Sequence, residues 1–126
     1  MVKMLVQIDF DSDEAIYLQL RKQIILGIAC SQFRDGDNLP SVRELADDIG
    51  INMHTVNKAY AILKQEGYLT LDRRRGAVIS VNADKYDASV KLMEDMKLMM
   101  AQAVCKGVSR EEVHRMIDHI FDGYGQ

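Results

Sequence analysis

The sequence predicts an α+β fold that is mostly helical, and three observations support this prediction. Apolar residues recur at helical spacing in five separate segments, two of which meet at Gly50. One pair of β-prone runs, Tyr68–Leu71 and Ala77–Val81, flanks a short turn. After about residue 81 the composition changes, and a methionine-rich segment begins. We therefore expect a first domain over residues 13–81 and a helical region over residues 82–126.

Length and composition are those of a small globular protein. The 126 residues suffice for one ordinary domain and a short appendage, and the hydrophobic fraction of 48% is enough for a cooperative core. No apolar run reaches the roughly 18 residues of a membrane span, and the N-terminus lacks the pattern of a secretory signal. We therefore expect a cytoplasmic protein without a membrane partner. The two cysteines, Cys30 and Cys105, are too few for a disulfide framework or a zinc site.

The first predicted helix runs from about Glu14 to Cys30. Its apolar stripe is suited to packing beneath the elements that follow, and it comprises Ile16, Tyr17, Leu20, Ile24 and Ile28. We interpret this helix as a scaffold. The opening segment, Val2–Ile8, is compatible with a strand or with an arm, and the sequence does not decide between them.

The second predicted helix begins after Ser41, which follows Pro40 and is a favourable N-cap residue. Glu44 lies three positions further on, where it would complete a capping box. Gly50 supplies the positive φ that ends a helix and permits a sharp turn. The apolar face of this helix consists of Val42, Leu45, Ala46 and Ile49.

The third predicted helix starts close behind the second, because Asn52 is placed to cap it only two residues after Gly50. The two helices therefore form a helix-turn-helix. The buried face of the third helix should consist of Val56, Ala59, Tyr60 and Leu63. Its outer face should consist of Met53, His54, Thr55, Asn57, Lys58 and Ala61. A small and polar face of this kind can enter a DNA major groove, which is about 12 Å wide.

A hairpin with a basic tip should follow the third helix. Its two β-prone runs flank Asp72–Gly76, a segment that contains three consecutive arginines. A helix-turn-helix followed by a two-stranded hairpin is a winged helix. The cations of such a wing can reach phosphates or the minor groove beside the major-groove helix.

Several of these segments resemble the winged-helix domain of the GntR family of bacterial transcription regulators. The matching motifs, in chain order, are Ile16–Leu20, Gly36–Ala46, Thr55–Tyr60 and Leu63–Leu69. They extend over about residues 13–81, and their order and spacing make the resemblance specific. It implies a DNA-binding regulator and places Arg43 against DNA. Many family members carry other residues at the positions of Asn52, Met53 and Asn57, so the resemblance implies no operator sequence.

The candidate DNA-contacting residues lie on the second helix, the third helix and the wing. They are Ser41, Arg43, Asn52, Met53, His54, Thr55, Asn57, Lys58, Arg73, Arg74, Arg75 and Gly76. Asn57 is the best base-reading candidate, because its amide can pair with both edge atoms of adenine. For Arg43 and the wing arginines, the alternative is an ordinary solvated side chain. The net charge of −3 opposes DNA binding, but many acidic residues lie near the N-terminus or after the wing.

Two further helices are predicted after the wing. The first runs from about Asp84 to Lys106 and ends at Gly107, and the second begins at a capping box formed by Ser109 and Glu112. Such an antiparallel helix pair cannot bury both of its apolar faces alone, so a second copy of the chain should cover them. The predicted dimer interface comprises Val90, Met93, Met96, Met100, Val113, Met116, Ile117, Ile120 and Phe121. A short two-helix tail resembles the YtrA subfamily, which implies dimer formation and suggests control of a transporter operon.

Catalysis and metal binding have little support in the sequence. His114, Asp118 and Asp122 are spaced by four residues and could line one helix face, but polar stripes of this kind are common on helical surfaces. No His-Glu-x-x-His, paired-cysteine, nucleophile-elbow or phosphate-loop motif is present. We therefore predict no cofactor, no metal site and no enzymatic activity.

Three functional hypotheses remain. The leading one is a homodimeric repressor that binds an inverted repeat in double-stranded DNA, with one recognition helix in each major groove. The second adds a small-molecule effector between the C-terminal helices, where flexible methionines would suit an apolar pocket. The third is a winged helix used only for protein interaction.

Overall fold

The computed structural model describes residues 6–82 and 84–126. It confirms a mostly helical α+β fold with a two-stranded antiparallel sheet. In chain order the elements are α1 (Ile16–Ala29), α2 (Val42–Ile49), α3 (Met53–Gln65), β1 (Leu69–Asp72), β2 (Gly76–Ile79), α4 (Lys85–Cys105) and α5 (Arg110–Gly123). The chain divides into two compact units, Met1–Asn82 and Ala83–Gln126. No helix within the described residues is long and apolar enough to span a bilayer.

The segment before α1 is irregular where the structure describes it. The predicted strand or arm at Val2–Ile8 lies partly outside the described residues, and from Val6 onward it forms neither helix nor strand. The buried amide of Gln19 holds this segment to α1. Its Oε1 accepts from the Asp9 N–H at 2.9 Å, and its Nε2 donates to the Asp9 and Glu14 carbonyl oxygens at 3.0 Å each.

The core of the first unit lies around α3, against which α1, α2 and β1 pack. The four residues predicted for the buried face of α3 are all buried, which confirms that prediction. They meet Leu20 and Ile24 from α1, Leu45 from α2, and Leu69 and Ile79 from the sheet. Burial of one face fixes which side of α3 is left for solvent or a ligand.

Local side-chain caps set the helix ends. Ser41 Oγ accepts from the Glu44 N–H at 3.1 Å, and Gly50 ends α2 with a φ of 79°. Asn52 Oδ1 then accepts from the His54 N–H at 2.8 Å and starts α3. The predicted capping box at Ser41 is only half formed, because the Glu44 carboxylate does not return a bond to the Ser41 N–H. One cap bond is sufficient here to satisfy a free N–H of the first turn.

The wing hairpin pairs Leu69 with Ile79 and Asp72 with Gly76, so β2 begins and ends earlier than predicted. This register leaves only the three arginines in the turn between Asp72 and Gly76. The loop before α2 runs beside β2 as an additional edge. The Leu39 N–H donates to the Ala77 carbonyl oxygen at 2.9 Å, and the Ile79 N–H donates to the Asp37 carbonyl oxygen at 2.8 Å. Asn38 and Val78 form the bridge between these bonds.

The second unit consists of α4 and α5, joined by a turn at Gly107, where φ is 77°. The predicted capping box at the start of α5 is complete: Ser109 Oγ accepts from the Glu112 N–H, and Glu112 accepts from the Ser109 N–H. No residue of either helix is buried. A single copy of this unit therefore has no core of its own.

Candidate nucleic-acid interface

The outer face of α3 is open. Met53, His54, Asn57 and Lys58 are exposed and Thr55 is half-buried. The side chains of His54 and Asn57 make no hydrogen bond or ion pair within the described residues. Since the opposite face is buried in the core, these donors and acceptors are free to meet a ligand.

Lys58 has a neighbour that the sequence did not indicate. Its Nζ lies 4.0 Å from the centroid of the Tyr17 ring on α1, which is a cation–π geometry. The ammonium remains exposed while the ring holds it beside α1. Tyr17 was assigned to the apolar stripe of α1, and nothing in the local pattern marked its contact with α3.

Two candidate residues already have structural roles as helix caps. Ser41 uses its hydroxyl oxygen and Asn52 its carbonyl oxygen to accept N–H groups at the starts of α2 and α3. Their donor groups, the Ser41 hydroxyl hydrogen and the Asn52 Nδ2, have no acceptor among the described residues. Both residues can therefore cap a helix and still donate a hydrogen bond outward.

Tyr60 connects α2 and α3, the two helices of the helix-turn-helix. Its buried hydroxyl donates to the Pro40 carbonyl oxygen at 2.8 Å, next to the residue that caps α2. Burial raises the pKa of the Tyr60 hydroxyl, and the nearby Glu44 carboxylate adds to this increase. The bond fixes where α2 starts relative to α3, and Arg43 lies on the first turn of α2. Arg43 is exposed, without a hydrogen bond or ion pair among the described residues.

A groove of about 280 Å³ lies between the start of α2 and the wing. Ser41 and Tyr60 line one side, and Arg73, Gly76 and Leu71 line the other. Three candidate residues from two parts of the chain, Ser41 before α2 and Arg73 and Gly76 of the wing, therefore lie on one concave surface. This proximity does not follow from the sequence pattern, because it depends on the packing of the hairpin against the helices.

The tip of the wing is organised by Asp72. Its Oδ1 accepts from the Arg74 N–H at 2.7 Å and from the Arg75 N–H at 3.2 Å. These bonds lower the pKa of the Asp72 carboxyl group. The side chains of Arg73 and Arg74 are exposed and make no hydrogen bond or ion pair with the described residues. The Arg75 guanidinium instead donates to the Gly36 carbonyl oxygen at 3.0 Å.

The predicted dimer-interface residues are exposed or half-buried in the single chain. Met116, Ile120 and Phe121 are about half exposed, at 52%, 49% and 53%. Val90 and Met93 are exposed, whereas Met96, Met100, Val113 and Ile117 are half-buried around an apolar groove of about 420 Å³. Leu92, Leu98 and Val104 were not predicted for the interface and are also exposed, so α4 presents apolar surface on more than one side.

Metal-binding geometry is not found in the described residues. His114, Asp118 and Asp122 do not form a cluster, and no other group of three His, Cys, Asp or Glu side chains within residues 6–82 and 84–126 is arranged to hold a metal ion.

Sequence comparison gives a family for this architecture. The model for the bacterial regulatory proteins of the gntR family matches residues 13–79, which is more than half of the chain. The chain is 38% identical over 119 residues to the HTH-type transcriptional repressor YtrA of Bacillus subtilis (strain 168), and that match covers 92% of each protein.

Structural comparison agrees with the sequence. A transcriptional antiterminator from Listeria monocytogenes EGD-e matches with a TM-score of 0.83 and 27% identity, over 100% of this chain and 92% of that chain. YtrA from Sulfolobus acidocaldarius, a GntR-family transcription factor, matches with a TM-score of 0.62 and 37% identity, over 75% of this chain and 99% of that chain. The relatives are transcription regulators and not enzymes. The chain therefore belongs to the GntR family of DNA-binding transcription regulators.

Proposed function

We propose that this chain is a homodimeric repressor that binds an inverted repeat, with one copy of α3 in each of two successive major grooves. The observation that carries the proposal is the outer face of α3, where the side chains of His54 and Asn57 have no hydrogen-bond partner within the described residues while the opposite face is buried. A dimer of such winged-helix domains would require half-sites about 10 base pairs apart. Repression is inferred from the name of the Bacillus subtilis relative.

The candidate residues divide into two proposed roles. Asn57, on the open face of α3, would read a base, with Met53, His54 and Thr55 packing against the groove floor beside it. The groups that would meet the phosphate backbone lie at the start of α2, on and before α3, and on the wing; they are Ser41, Arg43, Asn52, Lys58, Arg73, Arg74 and Gly76. The Arg75 guanidinium is already bonded to Gly36 and Asn38, so it is left out of this set. Backbone contacts would set the register of α3 on the duplex, and base contacts would provide the sequence preference.

The second unit would supply the dimer interface, so that residues 13–81 bind DNA and residues 82–126 join two copies. The support is the large exposed apolar surface of α4 and α5, which includes Met93 at 60% and Phe121 at 53%. Surface of this kind is costly in water unless a partner covers it. The resemblance to the YtrA subfamily adds control of a transporter operon and autoregulation to the proposal. A cytoplasmic location is proposed because the chain belongs to a family of transcription regulators.

Fluorescence anisotropy with labelled DNA from upstream of the protein's own gene tests the proposed function. The wild-type dimer should bind this DNA at least 1,000-fold more tightly than a scrambled duplex at moderate salt, within the usual specificity range of roughly 10³ to 10⁷. Asn57→Ala should remove roughly 1–3 kcal/mol of that preference. The matched control is Asn82→Ala, because Asn82 is also exposed but lies outside the proposed interface. Equal affinity for both duplexes would refute sequence-specific regulation.

A second candidate function adds a small apolar effector to the same dimer. The groove lined by Met96, Met100, Val113 and Ile117 favours it, because Arg110 and His114 at the same site could pair with an acidic group. An effector must bind the DNA-free and DNA-bound states unequally. An apolar carboxylic acid that changes DNA affinity in wild type but not in Arg110→Ala would support this function. No change in wild type across such acids would contradict it.

A further inference from the structure

One of the three wing arginines is held differently from the other two. The Arg75 guanidinium donates to the Gly36 carbonyl oxygen at 3.0 Å and to Asn38 Oδ1 at 3.4 Å. The Asn38 side chain also donates, through Nδ2, to the carbonyl oxygen of Arg75. Arg73 and Arg74 have no such side-chain bonds within the described residues. Similar residues at one turn therefore have different surroundings.

We propose that Arg75 is a positioning residue, and that Arg75 and Asn38 together clamp the wing tip so that Arg73 and Arg74 meet the DNA backbone. This inference rests on the proposed DNA-binding role of the wing. In this proposal Arg75 acts on DNA binding indirectly, because it orders the wing tip that carries Arg73 and Arg74. Asn38, which was not among the candidate residues, also takes part in DNA binding.

The surroundings of the clamp explain why it can fix the tip. A hairpin of two four-residue strands is marginally stable by itself. The loop that contains Gly36 and Asn38 is tied to β2, since the Gly36 N–H donates to the Ile79 carbonyl oxygen at 2.8 Å and Asn38 bridges to Val78. Arg75 thus joins the free end of the hairpin to a loop that is already anchored at the other end of the sheet.

The chemistry of arginine suits this role. Both bonds of the Arg75 side chain leave from one nitrogen, Nη2, whose hydrogens are held in the guanidinium plane, whereas a lysine ammonium lacks that fixed geometry. Both acceptors of Arg75 are uncharged, so the clamp positions the side chain without an ion pair. A wing ordered before binding loses less conformational entropy when it meets DNA, and this should increase affinity.

Limited trypsin digestion of the full-length protein without DNA tests the clamp directly. Asn38→Ala removes both bonds of the Asn38 side chain, leaves Arg75 bonded only to the Gly36 carbonyl oxygen, and keeps all three arginine cleavage sites in place. Cleavage after Arg73, Arg74 or Arg75 should be several-fold faster than in wild type, because a protease needs a locally opened segment. Asn82→Ala is the matched control and should cleave at the wild-type rate. An unchanged rate in Asn38→Ala, with unchanged circular dichroism, would overturn the proposal.

The salt dependence of DNA binding separates positioning from phosphate contact. Arg73→Ala and Arg74→Ala should each lower the slope of log affinity against log salt by about 0.9 for each wing bound. Arg75→Ala should weaken binding by roughly 3- to 10-fold at every salt concentration with no change of slope, as expected for a loop that must be ordered on binding.

Two further variants complete the test. Arg75→Lys keeps the charge but should not restore affinity, and Asn38→Ala/Arg75→Ala should bind no more weakly than Arg75→Ala, because both substitutions break one clamp. A lower slope in Arg75→Ala that Arg75→Lys restores would overturn the proposal and make Arg75 a phosphate contact. If wild type binds no DNA while Asn38→Ala still speeds cleavage, the proposed function fails and the clamp remains.

Discussion

The two units of this chain differ in how they use apolar residues. In the first unit, Leu20, Ile24, Val56 and Leu63 are fully buried around α3. In the second unit, α4 and α5 also contain many large apolar side chains at helical spacing, yet none is buried. Similar amphipathic patterns therefore lead to a closed core in one unit and to an open surface in the other.

Helical periodicity in a sequence therefore identifies an apolar face but not the surface that covers it. A helix-turn-helix and a hairpin provide enough layers to enclose α3 from several sides. Two helices joined by a short turn leave all of their residues at least partly exposed, and we propose that a second chain covers the predicted interface residues. We infer that stability of the first unit is a property of one copy, whereas stability of the second depends on concentration.

Truncation of a residue in the closed core of the first unit should reduce stability more than any other substitution considered below. Leu63→Ala should lower the free energy of unfolding by about 2–5 kcal/mol, because Leu63 is 0% exposed and its truncation leaves a cavity. Leu98→Ala is the matched control, with 66% exposure, and should change it by less than about 0.5 kcal/mol. Urea unfolding followed by far-UV circular dichroism measures both. Similar losses in the two variants would contradict the contrast between the units.

The next effect is on assembly. Phe121→Lys places a charge on the exposed apolar surface of α5 and should convert the proposed dimer to a monomer in light scattering after size exclusion. The monomer should keep its helical signal and bind the inverted repeat about 100-fold more weakly, because two linked heads gain avidity. Gln102→Lys, at an exposed polar position, is the control and should remain dimeric. A dimeric Phe121→Lys would place the interface elsewhere.

Much of the fold could be predicted because its signals are local. Ser41, Asn52 and Ser109 cap the helices that they were expected to cap, and Gly50 and Gly107 end helices with positive φ. Each of these helix ends is determined by residues within a few positions in the sequence. The buried face of α3 was predictable for the same reason, since a single helical period marks it.

The missing parts of the candidate site depend on residues that are distant in the sequence. Asn38 and Arg75 are 37 positions apart, and neither residue type indicates the other. The contact of Lys58 with Tyr17 likewise requires the packing of α3 on α1. The pairing of this loop with β2 has no local signal, because Asp37 and Asn38 are common turn residues. Only the folded arrangement shows that the loop extends the sheet.

A smaller effect concerns the connection between α2 and α3. Tyr60→Phe removes the hydroxyl that donates to the Pro40 carbonyl oxygen and should lower the free energy of unfolding by about 1–2 kcal/mol. Tyr17→Phe is the matched control, since the Tyr17 hydroxyl makes no hydrogen bond within the described residues. It should change stability by less than about 0.5 kcal/mol. Equal losses of stability in the two variants would show that the buried hydrogen bond of Tyr60 does not stabilise the helix-turn-helix.

The same tyrosine predicts a dependence on alkaline pH. Burial raises the Tyr60 pKa above its ordinary value of 10.0, so the unfolded chain loses this proton first as the pH increases. The stability that the protonated, buried Tyr60 side chain contributes is therefore fully present below pH 10.0 and is lost as the pH rises above it. Stability of wild type should therefore fall more steeply than that of Tyr60→Phe in urea titrations above pH 10.0. Parallel curves for the two proteins would contradict this assignment.

The smallest effect is expected at the wing tip, which is exposed like the second unit but ordered by its own hydrogen bonds. The N–H groups of Arg74 and Arg75 lower the Asp72 pKa below its ordinary value of 3.8. Because the folded pKa is depressed, these bonds stabilise the turn above pH 3.8 and are lost as the pH falls through the lower folded value. In an NMR titration, the Asp72 carboxyl should have a midpoint below 3.8, and the Arg74 and Arg75 amide shifts should follow it. Asp72→Asn should abolish that shared transition, whereas a midpoint at or above 3.8 in wild type would show that the tip is not held by Asp72.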